Sequence, residues 1–314
     1  MRARLEALAL ARPDPGDGRA SSVALAAEAG RACLARAGRE PAELEVLVNC
    51  GVYKDENIGE PAMAPFIQRR LGANAGFPPA RGAGTLSFDL CHGTGGFLAG
   101  IRVVAGFIES GRIGCGMVVA SDVDPAGAGS AGLAFDPLGG AVLLSAAEGE
   151  GGEGFEAFHT EAFPRYADLF ESRLSWVGDL PPRARPPNRD GHAFLVRQDE
   201  KYVTACVDCA ESTVRRFLAA RGLRIDDLDL IVPSRSPAGF PDELGRRLEA
   251  AGRIPPPCGP DERVHAAGTA LALAAALEGG MFASARRALL VAVSPGISVA
   301  LALYTRGPHR PDGG

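Results

Sequence analysis

Apolar and polar positions follow one order twice along the chain, which predicts two similar α/β halves. In the first half, a helical pattern over Val23–Ala37 precedes a glycine, an acidic turn and the mostly apolar run Leu44–Val48. In the second half, a helical pattern over Cys209–Ala220 precedes the same features and the run Leu228–Val232. A helix that ends at glycine before a short apolar run is typical of a helix followed by a buried strand. We therefore predict an internal repeat.

The repeat continues downstream, because each half carries a second helix end, an apolar strand and a closing apolar run, within residues 108–144 and 277–303. We predict an N-terminal half over residues 1–148, a connecting segment over 149–190 and a C-terminal half over 191–307. The Gly/Glu-rich run Glu148–Gly154 favours a surface turn at the first boundary. The proline-rich stretch Leu180–Pro187 is incompatible with a helix or a central strand.

Composition limits the classes of function. The chain has 314 residues, 46% of them hydrophobic, and a net charge of -5. This mild acidity gives no general attraction to nucleic acid or anionic membranes, and no apolar run is long enough to cross a bilayer. The first residues lack the features of a signal peptide. The seven scattered cysteines favour reduced thiols, so we predict a cytoplasmic protein. We predict no metal and no other cofactor.

Candidate chemistry centres on a glycine-rich turn between a short strand and a long apolar helix that ends near Ser110. The start of such a helix offers free backbone N–H groups and a positive dipole end, and Gly93 and Gly95 let a substrate approach the backbone. Two side chains could be a nucleophile there, Cys91 and Thr94. A buried structural cysteine and a helix cap are their ordinary alternatives. A phosphate-binding loop is not favoured, because the Lys-Ser/Thr pair is absent.

The same turn resembles the nucleophile motif of the ketosynthase III (FabH-like) family. Phe88-Asp89-Leu90 and Gly95-Gly96-Phe97 are similar to the two ends of that motif, with the same spacing between them. Without a gap, the acyl-carrying cysteine of the family corresponds to Thr94, and Cys91 lies three residues earlier. The resemblance covers roughly residues 20–307. It implies a thiolase fold, a five-layer αβαβα arrangement of two pseudo-symmetric halves, and a dimer formed through an edge strand near Val118–Asp122.

The remaining catalytic positions of the family depart from its pattern. By the resemblance, the histidine position holds Ser234 and the asparagine position holds Ala267. In the family these two side chains donate hydrogen bonds that stabilise an enolate, and each lost oxyanion donor typically costs about 10²–10³ in rate. Ser294 and Gly296 lie in a segment similar to the family's glycine-rich loop, whose backbone N–H could complete an oxyanion hole with that of Thr94.

Two histidines lie near these positions in the sequence. His265 precedes the asparagine position by two residues, close enough to reach the pocket. His92 is close to Thr94 along the chain and can point elsewhere. For both histidines, a structural or surface role is the simpler interpretation.

The resemblance leaves three functions open. The first is a partner subunit with a degenerate triad, which supports acyl transfer or condensation in fatty-acid-like or polyketide-type metabolism. The second is an acyltransferase that uses Thr94, Cys91 or Ser234, and the third is a condensing enzyme with an atypical site. The acyl source would be acyl carrier protein, whose acidic surface could meet Arg246-Arg247, or acyl-CoA. We predict a heterodimer with a ketosynthase homologue, or a homodimer.

Overall fold

We analysed a computed structural model of the chain. It describes seven stretches of the chain, which are residues 1–14, 20–55, 58–123, 136–147, 152–179, 192–257 and 263–306. The predicted boundary turn begins outside these ranges, and the proline-rich part of the connecting segment also lies outside them.

The first half forms one mixed sheet with helices on both faces. Its elements in chain order are β1 (Ala3–Ala11), α1 (Ser22–Ala37), β2 (Val46–Asn49), α2 (Met63–Leu71), β3 (Leu86–Asp89), α3 (Gly96–Glu109), β4 (Cys115–Asp122) and β5 (Leu138–Ala146). The strand order is β1-β5-β4-β2-β3. Strand β5 is antiparallel to both of its neighbours, whereas β4, β2 and β3 run parallel to one another.

The second half repeats this plan. After β6 (Gly154–Ala162) comes a separate antiparallel pair, β7 (Phe170–Trp176) and β8 (His192–Gln198). The later elements are α4 (Tyr202–Ala219), β9 (Leu230–Pro233), α5 (Phe240–Arg247), α6 (Gly268–Glu278), α7 (Met281–Ser284), β10 (Arg287–Ser294) and β11 (Ser298–Thr305). The order β6-β11-β10-β9 has the same directions as β1-β5-β4-β2.

The two sheets enclose a pair of central helices. Helix α3 contacts strands of both sheets, and so does α6. Helices α1 and α2 cover the outer face of the first sheet, and α4 and α5 cover the outer face of the second. The layers are therefore helix, sheet, helix, sheet, helix, which confirms the predicted five-layer thiolase fold.

Small residues let the central helices approach the sheets closely. A Cβ atom on Gly100 of α3 would lie 2.7 Å from Val118 Cγ1, and one on Gly140 of β5 would lie 2.5 Å from the Cβ of Ala270 in α6. Neither distance is compatible with a side chain, so glycine permits both contacts. Both central helices are consequently packed against strands that flank the predicted active site.

The predicted position of the subunit edge is wrong. Strand β4, which contains Val118–Asp122, pairs with β2 on one side and with β5 on the other. All eight of its residues are buried, as expected of a central strand covered on both faces. The edges of this sheet are β1 and β3, and Leu86 of β3 is 56% exposed.

Cys206 and Cys209, which have Cys-x-x-Cys spacing, pack in the core as part of helix α4. Both side chains are buried on α4, and burial raises the pKa of the Cys206 thiol to about 12. In the parts of the chain that the structure describes, no three Cys, His, Asp or Glu residues are grouped as metal ligands.

Within the same ranges, no helix has both the length and the apolar character that a membrane span requires.

Candidate active site

The turn between β3 and α3 places Thr94 at the start of a central helix. Gly93–Gly95 form one 3₁₀ turn that runs directly into α3. The turn contacts β10, β11 and α6, so it lies where the two halves meet. Thr94 is buried, with 4% of its surface exposed. This geometry gives the Thr94 position the positive end of a helix dipole and little access to solvent.

The hydroxyl of Thr94 is hydrogen-bonded to a backbone carbonyl and not to a side chain that could act as a base. Thr94 Oγ1 donates a hydrogen bond to the carbonyl oxygen of Val293, at a distance of 2.5 Å. A backbone carbonyl can accept this hydrogen bond, but it cannot take the proton away, and a hydroxyl nucleophile needs a group that can. In this arrangement the side chain ties the start of α3 to the end of β10.

The next residue of β10 occupies the helix start itself. Ser294 Oγ accepts a hydrogen bond from the backbone N–H of Gly95 at 3.0 Å and donates one to the carbonyl oxygen of His92 at 2.8 Å. The ring of Pro295 lies close by, because a Cβ atom on Gly93 would be 2.7 Å from Pro295 Cδ. Proline has no N–H to donate. The Gly95 N–H group, which could bind an oxyanion, is therefore already engaged by this chain.

Gly296 lies in the tight turn that joins β10 to β11. Its φ is +77°, and the φ of the following residue, Ile297, is +33°. Ser294 and Pro295, rather than Gly296, make the close contacts with the turn that holds Thr94. The structure therefore brings the loop after β10 to the start of α3 as predicted, but the contacts are made by Ser294 and Pro295 and not by Gly296.

Cys91 differs from Thr94 in its environment. Its side chain is exposed, although it is only three residues away from the buried threonine. The structure therefore places Thr94, and not Cys91, at the buried helix start.

Ser234 lies beside the start of α6, whose first residue, Gly268, directly follows Ala267. Ser234 follows β9 and is fully buried, and its Oγ accepts the N–H of Ser236 at 3.4 Å. A Cβ atom on Gly268 would lie 3.0 Å from that Oγ. Ala267, the residue before α6, is also buried and has only a methyl side chain. A larger side chain at position 234 would have to displace the first turn of α6.

His265 is bound to a buried carboxylate. Its Nδ1 lies 2.6 Å from Asp122 Oδ2 at the end of β4, and its ring packs against that of Tyr53 at 4.8 Å between centroids. The Asp122 carboxylate also accepts the backbone N–H groups of Val52, Tyr53 and Ala266. Burial would raise the pKa of Asp122, but His265 and these donors outweigh it and hold the pKa below its ordinary value.

Sequence reasoning assigned no role to Asp122. The signal that could have identified it is a carboxylate that ends an otherwise apolar strand, since a buried charge needs a partner. Sequence reasoning also missed a contact between His92 and Ser298. The Nε2 atom of His92 lies 2.8 Å from the Oγ atom of Ser298. Ser298 is the first residue of β11 and follows the turn that contains Gly296. These two residues are distant in the chain, so local patterns could not pair them.

Two surface clefts lie away from these residues. Their volumes are about 360 and 340 Å³, and both are lined by residues of the C-terminal half around the loop that precedes β9. Their lining includes Arg215, Asp226 and Arg286, and it includes none of the predicted site residues.

The chain is similar to synthases of fatty-acid type. It is 28% identical over 233 residues to the beta-ketoacyl-[acyl-carrier-protein] synthase III of Acidiphilium cryptum, a match that covers 72% of this chain and 66% of that protein. It is 29% identical over 287 residues to the enzyme of the same name from Rhodospirillum centenum, which covers 89% of this chain and 82% of the relative. The first match thus spans just under two thirds of the relative's length. No protein-family model matches the chain.

Solved structures show the same fold. The 3-oxoacyl-(acyl carrier protein) synthase III FabH of Pseudomonas aeruginosa PAO1 superposes with a TM-score of 0.75 at 21% identity, over 99% of this chain and 100% of that one. The priming β-ketosynthase of the R1128 polyketide pathway gives 0.75 at 21% identity, over 98% and 97%. OleA of Xanthomonas campestris gives 0.76 at 14% identity, over 97% of both chains. These superpositions show that the chain has the thiolase fold of these enzymes, and the curated relatives show that its sequence is similar to the ketosynthase III family.

Proposed function

We propose that this chain is a cytoplasmic ketosynthase III-like protein with a degenerate triad, which works as the partner subunit of an active homologue. In this role it would support acyl transfer or condensation in fatty-acid-like or polyketide-type specialised metabolism. The acyl group would reach the complex on acyl carrier protein or on coenzyme A. The names of the relatives, which are acyl-carrier-protein synthases, support this class of substrate.

One observation carries the proposal: the helix start that would hold the acyl group is filled by the chain's own residues. Thr94 Oγ1 donates a hydrogen bond to the carbonyl oxygen of Val293, and Ser294 Oγ accepts one from the backbone N–H of Gly95. An acyl thioester would have to displace both contacts before its carbonyl carbon could reach Oγ1. Even then, the threonine would have no base to remove its proton.

The residues at the histidine and asparagine positions add to this argument. Ala267 has no hydrogen-bond donor, and Ser234 has only a neutral hydroxyl inside a fully buried site. Losing one well-placed oxyanion donor typically costs about 10²–10³ in rate, so the loss of two makes decarboxylative condensation very slow. A partner role needs the fold and a subunit surface, and it does not need these donors.

The free edge of β3 is the surface on which we propose that the partner binds. Among the residues that the structure describes, strand β3 pairs only with β2, so within this part of the chain the N–H and C=O groups on its other side have no strand partner. Leu86 at the start of this strand is 56% exposed, and Phe77 in the loop before it is 98% exposed. Exposed apolar side chains beside an open strand edge are typical of a subunit interface.

Arg246 and Arg247 on α5 are less available to an acidic carrier protein than the sequence indicates, because both are paired with carboxylates of this chain. Arg246 is paired with Glu243 of the same helix. Arg247 is paired with Glu243 and also with Glu211 and Asp208 of α4, at 3.1–3.4 Å. These carboxylates neutralise much of the positive charge, and surface pairs of this kind contribute little stability. In the proposed complex, the active subunit supplies the docking surface for the carrier.

Coexpression with ketosynthase III homologues of the same organism that keep the Cys-His-Asn triad tests the proposal. We expect native mass spectrometry to show a one-to-one heterodimer with one of them. We also expect carbon dioxide release from malonyl thioesters by the complex, and none above background by the purified chain alone. Rapid decarboxylation by the purified chain would show a condensing enzyme instead. Failure to bind any complete homologue would overturn the partner role.

A further inference from the structure

Ser298 and His92 are placed like a nucleophile and its base. Ser298 Oγ lies 2.8 Å from His92 Nε2, within the 2.6–3.2 Å range of such pairs. Ser298 is mostly buried, whereas His92 is partly exposed and its neighbour Cys91 is exposed. The pair therefore lies at the partly exposed end of the turn that holds Thr94. Neither residue occupies a catalytic position implied by the family resemblance.

The protonation state of His92 suits a base. Burial lowers the pKa of His92 below its ordinary value of 6.5. The ring is therefore neutral near pH 7, and a neutral imidazole has one nitrogen that can accept a proton. The hydroxyl of Ser298 faces that ring, in contrast to the hydroxyl of Thr94, which faces a carbonyl oxygen.

The backbone on either side of the pair adds two independent features. Ile297, directly before Ser298, has a φ of +33°, a strained backbone conformation that is rare for a β-branched residue. Such strain persists where the surrounding structure holds the chain in one conformation, and it is frequent beside nucleophiles. His92 directly precedes the 3₁₀ turn that leads into α3. The N-terminal end of this helix carries a partial positive charge, which favours a negatively charged group nearby.

We propose that Ser298 and His92 form a second acyl-transfer site, in which Ser298 accepts an acyl group from a thioester with His92 as the base. Ser298 Oγ would attack the thioester carbonyl carbon while its proton passes to His92 Nε2. The C–O bond forms, the C–S bond breaks, and the departing thiolate takes the proton from Nε2.

The choice of a thioester as the acyl donor rests on the proposed function, but the pairing of the two residues does not. A pair that cannot be acylated would leave the partner role intact, because complex formation tests that role separately. The two ideas can therefore fail independently.

Incubation of the Cys91→Ala protein with the acetyl thioester of N-acetylcysteamine, followed by peptide mass spectrometry, tests this site. The Cys91→Ala background removes the exposed thiol that would otherwise exchange with the donor. We expect one acetyl group on Ser298, resistant to neutral hydroxylamine as an oxygen ester is. His92→Gln keeps a hydrogen-bonding group but no base, so it should slow acetylation about 100-fold or more. Ser298→Ala should abolish it.

Ser145→Ala is the matched control, because Ser145 is a buried serine of β5 whose hydroxyl has no hydrogen-bond partner among the residues that the structure describes. This variant should be acetylated like its parent, and thermal melts of all variants should show that each is folded. Absence of acetyl-Ser298 from the folded Cys91→Ala protein would overturn the proposal. Acetylation of Ser298 at an unchanged rate in His92→Gln would overturn the role of the histidine as base.

Discussion

Ser294 accepts the backbone N–H of Gly95 at 3.0 Å, so a residue of the second half caps the first turn of the central helix of the first half. The two residues are 199 positions apart in the chain. The same serine hydroxyl donates to the carbonyl oxygen of His92. This cap leaves the thiolase fold intact, while it fills the position where the family resemblance implies an acyl group.

Removing the Ser294 side chain, which caps α3, is expected to allow covalent acylation at position 94. In a background with Cys91→Ala and Ser298→Ala, Thr94→Cys alone should gain little acyl mass from acetyl or malonyl thioesters, because Ser294 still accepts the hydrogen bond of the Gly95 N–H. Thr94→Cys with Ser294→Gly frees that donor, and a thiol at a helix start ionises more readily than a free one. We expect the double substitution to be acylated about 100-fold faster, as for one recovered oxyanion donor.

Intact mass spectrometry over time measures these rates, and peptide mapping locates the acylated residue. Ser294→Gly without the Thr94 substitution is the control, and it should gain no acyl group at position 94. Equal rates for the single and double substitutions would contradict the idea that Ser294 closes the site.

The Asp122–His265 pair is expected to stabilise the junction between the halves. Asp122→Asn keeps the size of the side chain but removes the charge that binds His265 and three backbone N–H groups. We expect the free energy of unfolding, measured with urea at pH 7, to fall by about 3 kcal/mol. Asp168→Asn is the control, since Asp168 is exposed and the change should stay within about 0.5 kcal/mol.

The stabilisation by Asp122 should depend on pH in one direction. The folded pKa of Asp122 lies below its ordinary value of 3.8, so the ionised carboxylate favours the folded state above that pH. The stabilisation is then lost as the pH falls through the lower folded pKa. Urea unfolding between pH 7 and pH 3 should therefore show the gap between wild type and Asp122→Asn narrowing below about pH 4. A gap of constant size would mean that the charge of Asp122 does not matter.

Substitution of Gly93 should reveal how tightly Pro295 packs on the turn. Gly93 and Gly111 both have positive φ, +52° and +70°, so alanine is strained at either position. At Gly93 the new methyl group would also lie 2.7 Å from Pro295 Cδ, whereas nothing lies within 4 Å of one at Gly111. We expect Gly93→Ala to destabilise the protein by about 1–3 kcal/mol more than Gly111→Ala. Equal losses of stability would show that the loop is free to move aside.

A charge on the open strand edge should weaken subunit association. Leu86→Lys places a charge on β3 without disturbing a buried contact, and such charges discourage strand addition. Trp176→Lys is the control, because Trp176 has the same exposed fraction of 56% but lies on β7. Sedimentation velocity should show dissociation for Leu86→Lys alone. An unchanged oligomer would place the interface elsewhere.

Much of the fold was predictable, because it depends on local patterns. Helix periodicity, glycine stops and short apolar runs indicated α1, β2, α4 and β9 and the repeat that relates them. The motif around the glycine-rich turn aligned without a gap, and it indicated the buried helix start at Thr94. The apolar run of β4 was recognisable as a strand, but its central position contradicts the edge strand that the family resemblance implied.

Only the tertiary structure decided how distant residues meet. It put β3 rather than β4 at the edge of the sheet, because strand order depends on which strands pair and not on how apolar each one is. It paired His265 with Asp122, 143 residues away, because a buried carboxylate at the end of β4 meets the start of α6. By itself the sequence indicated the resemblance to ketosynthase III, the repeated order of helices and strands, and the glycine-rich turn before the apolar helix. The packing of the two sheets around the central helices brings Ser294 to the backbone N–H of Gly95 and Ser298 to His92. These residues are about two hundred positions apart in the chain, so local sequence patterns could not pair them.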